Sequence, residues 1–327
     1  MDTAEYNITF FHDVRSKKVK WLWYPYIPYG KITLIQGDPG DGKTSFILNL
    51  IARMSNGDTL PFSKAHIHGV AIYQNAEDDI ADTIKPRLER QHANCQNICF
   101  IDQTSPLLIE NNSIEKAISE TGAKLLVLDP LQSFMGEHID MNRANSVRPL
   151  MQHLKKIAAT TGCAIVLVGH LNKNISNKAS YRGLGSIDII AAARSVLLIG
   201  KDEENPNMRY LVHQKCNLAP LGSSLEFCLN GGELSWIGTS SITAADLTGH
   251  TPTKKQSKQN EAAELILSAL SDGPVPAHIL FELAEEQGLS RRTLNLAKAR
   301  LPVCSIKTAQ GWVWYIKNGR ATNEERY

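Results

Sequence analysis

Residues 36–45 of the chain read QGDPGDGKTS, which contains the run Gly37-x-x-x-x-Gly42-Lys43-Thr44. Glycines in such a run let backbone N–H groups wrap a phosphate without obstruction by side chains. Its lysine reaches the β- and γ-phosphates, and its threonine hydroxyl lies on Mg²⁺. Gly37, Asp38, Pro39, Gly40, Asp41, Gly42, Lys43, Thr44 and Ser45 are therefore the expected nucleotide-binding residues. The context fits, because β-rich KITLIQ precedes the run and apolar FILNLIARM follows it. A loop between strand and helix also gains the positive end of the helix dipole.

Three further positions offer chemistry to that phosphate. Asp129 ends LLVLD, and a carboxylate at the tip of an adjacent parallel strand would face the same crevice and hold Mg²⁺ through water. The plainer reading of Asp129 is a turn former before Pro130. Glu77, after VAIYQNA, is the expected acid that orients the attacking water. Asp78 and Asp79 are expected to cap the next helix, and the plainer reading has all three acids only capping or solvated. His170 ends AIVLVGH and is a candidate γ-phosphate sensor, or simply a structural strand end.

The elements that must position these residues are legible as a pattern. KITLIQ, VAIYQN, ICFID, KLLVLD, AIVLVG and SVLLIG are short apolar runs, with helical segments such as SIEKAISETG and VRPLMQHLKKIAATTG between them. That alternation predicts an α/β core with a mainly parallel sheet covered on both faces. After residue 200, RYLVHQK, SLEFCLN and ELSWIG follow closely and predict antiparallel hairpins at the sheet's edge. Residues 239–260 are rich in Thr and Ser, without apolar periodicity, and read as a linker. Residues 261–327 read as three helices and a hairpin, a small winged helix-turn-helix domain, with 1–238 as the core.

Composition excludes little more. The net charge of +2 over 327 residues does not by itself announce a nucleic-acid partner, so charge has to be judged locally. No apolar run is long enough for a membrane span, and the N-terminus lacks a signal-peptide pattern. Six scattered cysteines without metal-ligand spacing fit a reduced, cytoplasmic protein with no membrane partner.

With GDPGDGKT, AED, LLVLDP and GH in this order, the chain resembles the RecA-like core of hexameric replicative helicases, over about residues 20–237. Within them it looks most like the RepA type found on plasmids and other mobile elements, and residues 261–316 resemble the winged helix attached to such cores. The resemblance implies a P-loop NTPase that hydrolyses ATP with Mg²⁺ at the subunit interfaces of a homo-oligomeric ring, a hexamer. It also implies a basic residue reaching the γ-phosphate from the neighbouring subunit. In KCNLAPLG, Lys215 matches the lysine of a Lys-x-Arg pair of DnaB-type helicases, while Asn217 stands where the arginine would be. The finger then falls to Arg194, with Arg182 behind it, unless either pairs with a local acid. The resemblance also places 132–145 and 171–186 on the ring's channel. Lys173, Lys178 and Arg182 of the second loop would hold single-stranded DNA by its backbone.

Arg291 and Arg292 open the expected recognition helix of the tail, which would take duplex DNA or dock a replication protein. The leading expectation is a Mg²⁺-ATP-dependent ring motor on single-stranded DNA, a replicative helicase of a mobile element. The alternative is a DNA-binding ATPase switch that assembles or loads a partner without unwinding.

Overall fold

The computed structural model describes residues 8–136, 139–141, 143–170, 187–202, 205–247, 254–299, 301–308 and 311–316. The chain divides into two units, Met1–Thr248 and Gly249–Tyr327.

In the first unit a two-stranded antiparallel ribbon, β1 (Trp21–Trp23) and β2 (Ile27–Pro28), leads into the main sheet. That sheet has nine strands: β3 (Ile32–Gly37), β4 (Ala71–Asn75), β5 (Ile98–Cys99), β6 (Leu125–Asp129), β7 (Ala164–His170), β8 (Ser195–Lys201), β9 (Met208–Cys216), β10 (Ser224–Asn230) and β11 (Glu233–Ser240). Their spatial order is β11-β10-β9-β8-β3-β7-β6-β4-β5. From β8 to β5 every neighbouring pair is parallel, and β9, β10 and β11 continue antiparallel from β8. The core is thus the expected α/β architecture with a mainly parallel sheet. The helices are α1 (Lys43–Asn56), α2 (Lys85–Arg90), α3 (Ser113–Thr121), α4 (Ala144–Thr161), α5 (Ile187–Ala192) and α6 (Ala244–Leu247).

Strand pleating explains the apolar runs. Successive side chains alternate between faces, so Leu125 and Val127 join one buried cluster while Leu126 and Leu128 join the other. Burial on both faces leaves no polar alternation in β6, all five residues of which are buried. On the first face, Phe46, Ile47, Leu50, Ile51 and Met54 of α1 lie at helical spacing and are buried. Trp23, Phe46, Phe227 and Trp236 pack ring on ring there, and Trp236 Nε1 donates to Asn49 Oδ1 at 3.0 Å. This aromatic knot ties the antiparallel strands to the helix that follows the phosphate loop.

Several expectations need adjusting. ICFID contributes only Ile98–Cys99 as strand. The stretch read as a linker holds the end of β11, the short α6 and the first turns of the tail's first helix. Asp79 does cap, accepting from Ala81 N and Asp82 N. Asp78 does not; its carboxylate pairs with Arg87 Nη1 at 3.0 Å, the stronger partner within reach.

The second unit contains α7 (Lys254–Ala269), α8 (Ala277–Glu286) and α9 (Arg291–Lys298), with a three-stranded antiparallel sheet of β12 (Val275–Pro276), β13 (Val303–Thr308) and β14 (Gly311–Ile316). Ile266, Leu280, Leu294 and Trp314 form its separate core. Ser290 caps α9 by accepting from Thr293 N at 3.1 Å.

Candidate nucleotide site

The loop between β3 and α1 needs its glycines for distinct reasons. A Cβ on Gly37 would run into the carbonyl oxygen of Ile199 on the neighbouring strand β8. Gly42, the N-cap of α1, has φ of +90°, where a side chain is strained, and a Cβ there would stand 2.7 Å from Leu229 Cδ1. Asp41 is buried and folds back inside the loop, accepting from Asp38 N at 2.6 Å. Burial raises its pKa, against the pull of that hydrogen bond.

Lys43 is 6% exposed, and its ammonium donates to the carbonyls of Gly37 and Asp38 at 2.8 Å each. Burial lowers its pKa, while Asp41 and Asp129 act in the other direction. Thr44 Oγ1 donates to Asp129 Oδ2 at 3.1 Å. This places the two expected metal-binding groups on one point, although Asp129 does not come from a strand adjacent to β3. Strand β7 lies between β3 and β6, and Thr44, at the start of α1, reaches the carboxylate at the tip of β6. A hydroxyl and a carboxylate, both hard oxygen donors of the kind that suits Mg²⁺, share a hydrogen bond beside the phosphate loop.

Tyr73 completes that corner. Its hydroxyl donates to the same Asp129 Oδ2 at 2.9 Å, and Asn75 Nδ2 donates to the Tyr73 hydroxyl at 3.1 Å. Burial raises the pKa of Asp129, with the bonds from Tyr73 and Thr44 pulling it back. The Tyr73 phenol is pushed well above its ordinary value by burial and by the neighbouring Asp129 charge. Asn75 also shapes the next turn, because its Oδ1 accepts from Glu77 N at 2.9 Å and Asp78 N at 2.7 Å. That turn puts Glu77 on the wall of the same cavity.

The cavity measures about 640 Å³ and is walled by the phosphate loop, Thr44, Glu77 and Asp129. Contributors not singled out from the sequence are Leu48, Arg87, Arg90, Gln91 and the turn at Leu229–Gly232. Gln91 Nε2 donates to Gly232 O at 2.9 Å, which joins the end of α2 to the β10–β11 turn.

Residues 7–176, more than half of the chain, match the family model described as an AAA domain. The chain belongs to the AAA domain family. The DNA repair protein RadA of Halalkalibacterium halodurans is 29% identical over 146 residues, 44% of this chain and 28% of that protein. RadA of Bacillus subtilis is 28% identical over 146 residues, and RadA of Streptococcus pneumoniae 28% over 148, covering 28% and 31% of those proteins. The AAA domain chain thus matches less than a third of the length of these relatives. Among solved structures, a KaiC-like protein from Pyrococcus horikoshii OT3 aligns with a TM-score of 0.47 at 17% identity, over 64% of this chain and 91% of that one. Family and site together make this a P-loop ATPase.

The remaining expected residues are not all brought to the cavity. The backbone of His170 pairs with Gly37 in register, but its side chain lies outside the described residues. Lys173, Lys178 and Arg182 also lie outside them. Arg194 precedes β8, beside the start of β3, at the end of the sheet opposite its own phosphate loop. It is exposed and has no ion pair among the described residues. Lys215 donates to Ile190 O at 2.7 Å and Ala193 O at 2.9 Å, so its ammonium caps the end of α5 instead of reaching outward. Burial lowers its pKa, helped by the charges of Arg194 and Lys155. In the second unit Arg291 and Arg292 are exposed, with the Arg291 guanidinium 5.2 Å from the centroid of the Phe281 ring. Lys298 on the same helix stands 4.1 Å from the Trp314 ring.

Among the described residues no group of three or more His, Cys, Asp or Glu is arranged for a metal ion, and no helix is long and apolar enough to cross a membrane.

Proposed function

We propose that the chain is a Mg²⁺-dependent ATPase that works on DNA as a ring-forming motor, translocating on a single strand. The observation that carries the ATPase reading is the Thr44–Asp129 contact of 3.1 Å inside a cavity that also holds Glu77. The Gly37–Thr44 loop and the N-terminal turn of α1 offer backbone N–H groups to the phosphates of ATP. Lys43 leaves the carbonyls of Gly37 and Asp38 for the β- and γ-phosphates. Thr44 and, through water, Asp129 would hold Mg²⁺, which would supply positive charge to the phosphate oxygens when bound. Tyr73 keeps the Asp129 carboxylate turned toward the loop. Glu77 accepts a hydrogen bond from the attacking water and aims it in line with the γ-phosphate. His170, one strand over, senses the γ-phosphate, and Arg194 of a neighbouring subunit supplies positive charge from outside the cavity.

DNA as the partner is supported by the names of the RadA relatives, which are DNA repair proteins. It is further supported by the basic, acid-free character of 171–186, where Lys173, Lys178 and Arg182 would hold a strand in a hexameric ring. We read the second unit as a winged helix that presents Arg291 and Arg292 to duplex DNA or to a replication protein. A cytoplasmic helicase of a plasmid or other mobile element is the finer form of the proposal.

The second reading, an ATPase switch or loader that does not unwind, is favoured by one observation. Lys215 is committed to the end of α5, and Asn217 stands where the paired arginine would be. Steady-state ATP hydrolysis with and without single-stranded DNA, with duplex DNA for comparison, separates the two. Strong stimulation by single strands supports the motor, whereas slow turnover indifferent to DNA supports the switch.

A further inference from the structure

A second cavity, about 820 Å³, opens at the other end of the main sheet. Its walls carry Lys17, Lys18, Lys20, Lys31 and Lys124 together with His68, and no carboxylate. Lys31 immediately precedes β3 and Lys124 immediately precedes β6, so the cavity faces the N-terminal ends of the strands. The phosphate loop lies at the other end of β3, roughly 20 Å away at about 3.3 Å per residue. The two cavities share no wall residue.

The lysines are held by the fold. Lys20 O accepts from Tyr29 N, Lys31 O from Ile165 N, and Lys124 O from Ala164 N. The stem of Lys124 lies over Gly69, where a Cβ would stand 2.6 Å from its Cγ. None of the five is ion-paired with a carboxylate among the described residues.

The bland account is that cations collect where helices end. Gly162, which caps the C-terminus of α4, does line this cavity. A helix C-terminus, however, carries only about half a negative charge, far short of five ammonium groups. Like charges gathered around a concave, water-filled space repel one another until an anion enters. The anion that fits is extended and carries several charges, since the lysines come from three separate segments around a cavity larger than the nucleotide site. Lysines without arginine forks supply point charges that follow a backbone without reading sequence. A lipid surface would call for a flat or protruding basic face, and these charges line a hollow.

We propose that this cavity is a second nucleic-acid site, which takes the sugar–phosphate backbone of a single strand at the end of the sheet opposite the ATP cradle. It is separate from the channel residues invoked above and does not depend on hydrolysis being coupled to DNA.

The test uses the full chain without nucleotide, so its outcome is independent of the motor reading. Binding of a labelled oligothymidylate of about 20 nucleotides is followed by anisotropy from about 50 to about 200 mM salt, where each lost single-strand phosphate contact lowers the slope of log K against log salt by ~0.7. K31Q/K124Q and, on the segment before β1, K17Q/K18Q should each lower that slope by ~1.4. The arginine counterparts K31R/K124R and K17R/K18R should keep it, and DNA-free ATP hydrolysis should be unchanged throughout. Wild-type slopes in both glutamine variants overturn the proposal. So does an equal loss in the arginine variants, which would point to shape instead of charge. Loss of binding to phosphatidylserine vesicles with an unaltered DNA slope would assign the cavity to a lipid surface and likewise overturn it.

Discussion

Replacing Tyr73 with phenylalanine tests the metal corner with the smallest possible change. The ring is buried in the sheet, and only its hydroxyl meets Asp129, at 2.9 Å. Tyr73→Phe keeps the ring's packing, removes one donor to the carboxylate while Thr44 Oγ1 remains, and deprives Asn75 Nδ2 of its acceptor. A hydrogen bond to a charged group contributes about 1.5–3 kcal/mol, which corresponds to roughly 10- to 150-fold in an equilibrium constant. Loss of a partner that orients a metal ligand weakens metal affinity by about 10- to 100-fold. The two figures agree, so the Mg²⁺ concentration for half-maximal ATP hydrolysis should rise by about one to two orders of magnitude. The rate at saturating Mg²⁺ should stay near wild type, because Tyr73 touches neither Glu77 nor Lys43 and Asn75 Oδ1 keeps its bonds from Glu77 N and Asp78 N. The Tyr73 bond also holds down the pKa of Asp129. Its removal raises that pKa further, and since protons compete with the metal, the acid limb of the Mg²⁺-limited rate moves to higher pH. The assay is a Mg²⁺ titration of ATP hydrolysis at several pH values, with thermal unfolding as a check on folding. A folded variant with an unchanged Mg²⁺ half-point would refute the positioning role and reduce Tyr73 to a packing residue.

Glu77→Gln should bind ATP normally and slow single-turnover hydrolysis by ~10²- to 10⁴-fold, the range for a positioned acid–base group; normal cycling would send the search for that acid elsewhere. Gly37→Ala should cost about 1–3 kcal/mol in urea unfolding and weaken ATP binding, because the new methyl meets a backbone carbonyl that has no rotamer to yield. His213 is buried between Gly222 N, which donates to Nδ1 at 2.9 Å, and the Ser195 hydroxyl, 3.0 Å from Nε2. Burial lowers its pKa from 6.5 to about 4. The folded state therefore binds this proton less readily than the unfolded one, and the stabilisation is complete above pH 6.5 and lost as pH falls toward 4. Urea midpoints across that window should show a loss of about 3 kcal/mol that His213→Gln removes; parallel profiles for the two proteins would contradict it.

The fold was readable where one residue type has one use. KITLIQ before the glycine run and FILNLIARM after it locate β3 and α1, because a phosphate loop tolerates no other surroundings. Asp129 was readable for the same reason, once the run LLVLD marked a strand tip. What periodicity cannot supply is lateral order. That β7 intervenes between β3 and β6, or that β4 lies beside β6, depends on which strands pair, and apolar runs buried on both faces look alike. Tyr73 stayed hidden for that reason, since a tyrosine in VAIYQN becomes a partner of Asp129 only when those two strands are neighbours. Lys215 shows the same limit from the other side. The motif pattern marks it as catalytic, and its ammonium bonds carbonyls at the end of α5, a contact between segments 25 residues apart that no local pattern displays.

The antiparallel strands carry the largest consequence of this kind. From the sequence they close the sheet's edge; in the fold their turn is a wall of the ATP cavity. Leu229 stands where a Cβ of Gly42 would go, and Gly232 O is fastened to Gln91. Trp236, behind the turn, holds Asn49 of α1, whose Nδ2 in turn donates to Gln91 Oε1 at 2.8 Å. The chain of contacts runs from the β10–β11 hairpin through α1 to α2, which also carries Arg87 and Arg90 on the cavity wall. A nucleotide entering this cavity therefore meets, besides Lys43, Arg90 and the Asp78-paired Arg87 of its own chain. In the proposed ring, a trans-acting arginine would add to a cavity that already holds Lys43 and Arg90, so asparagine at 217 is compatible with hydrolysis.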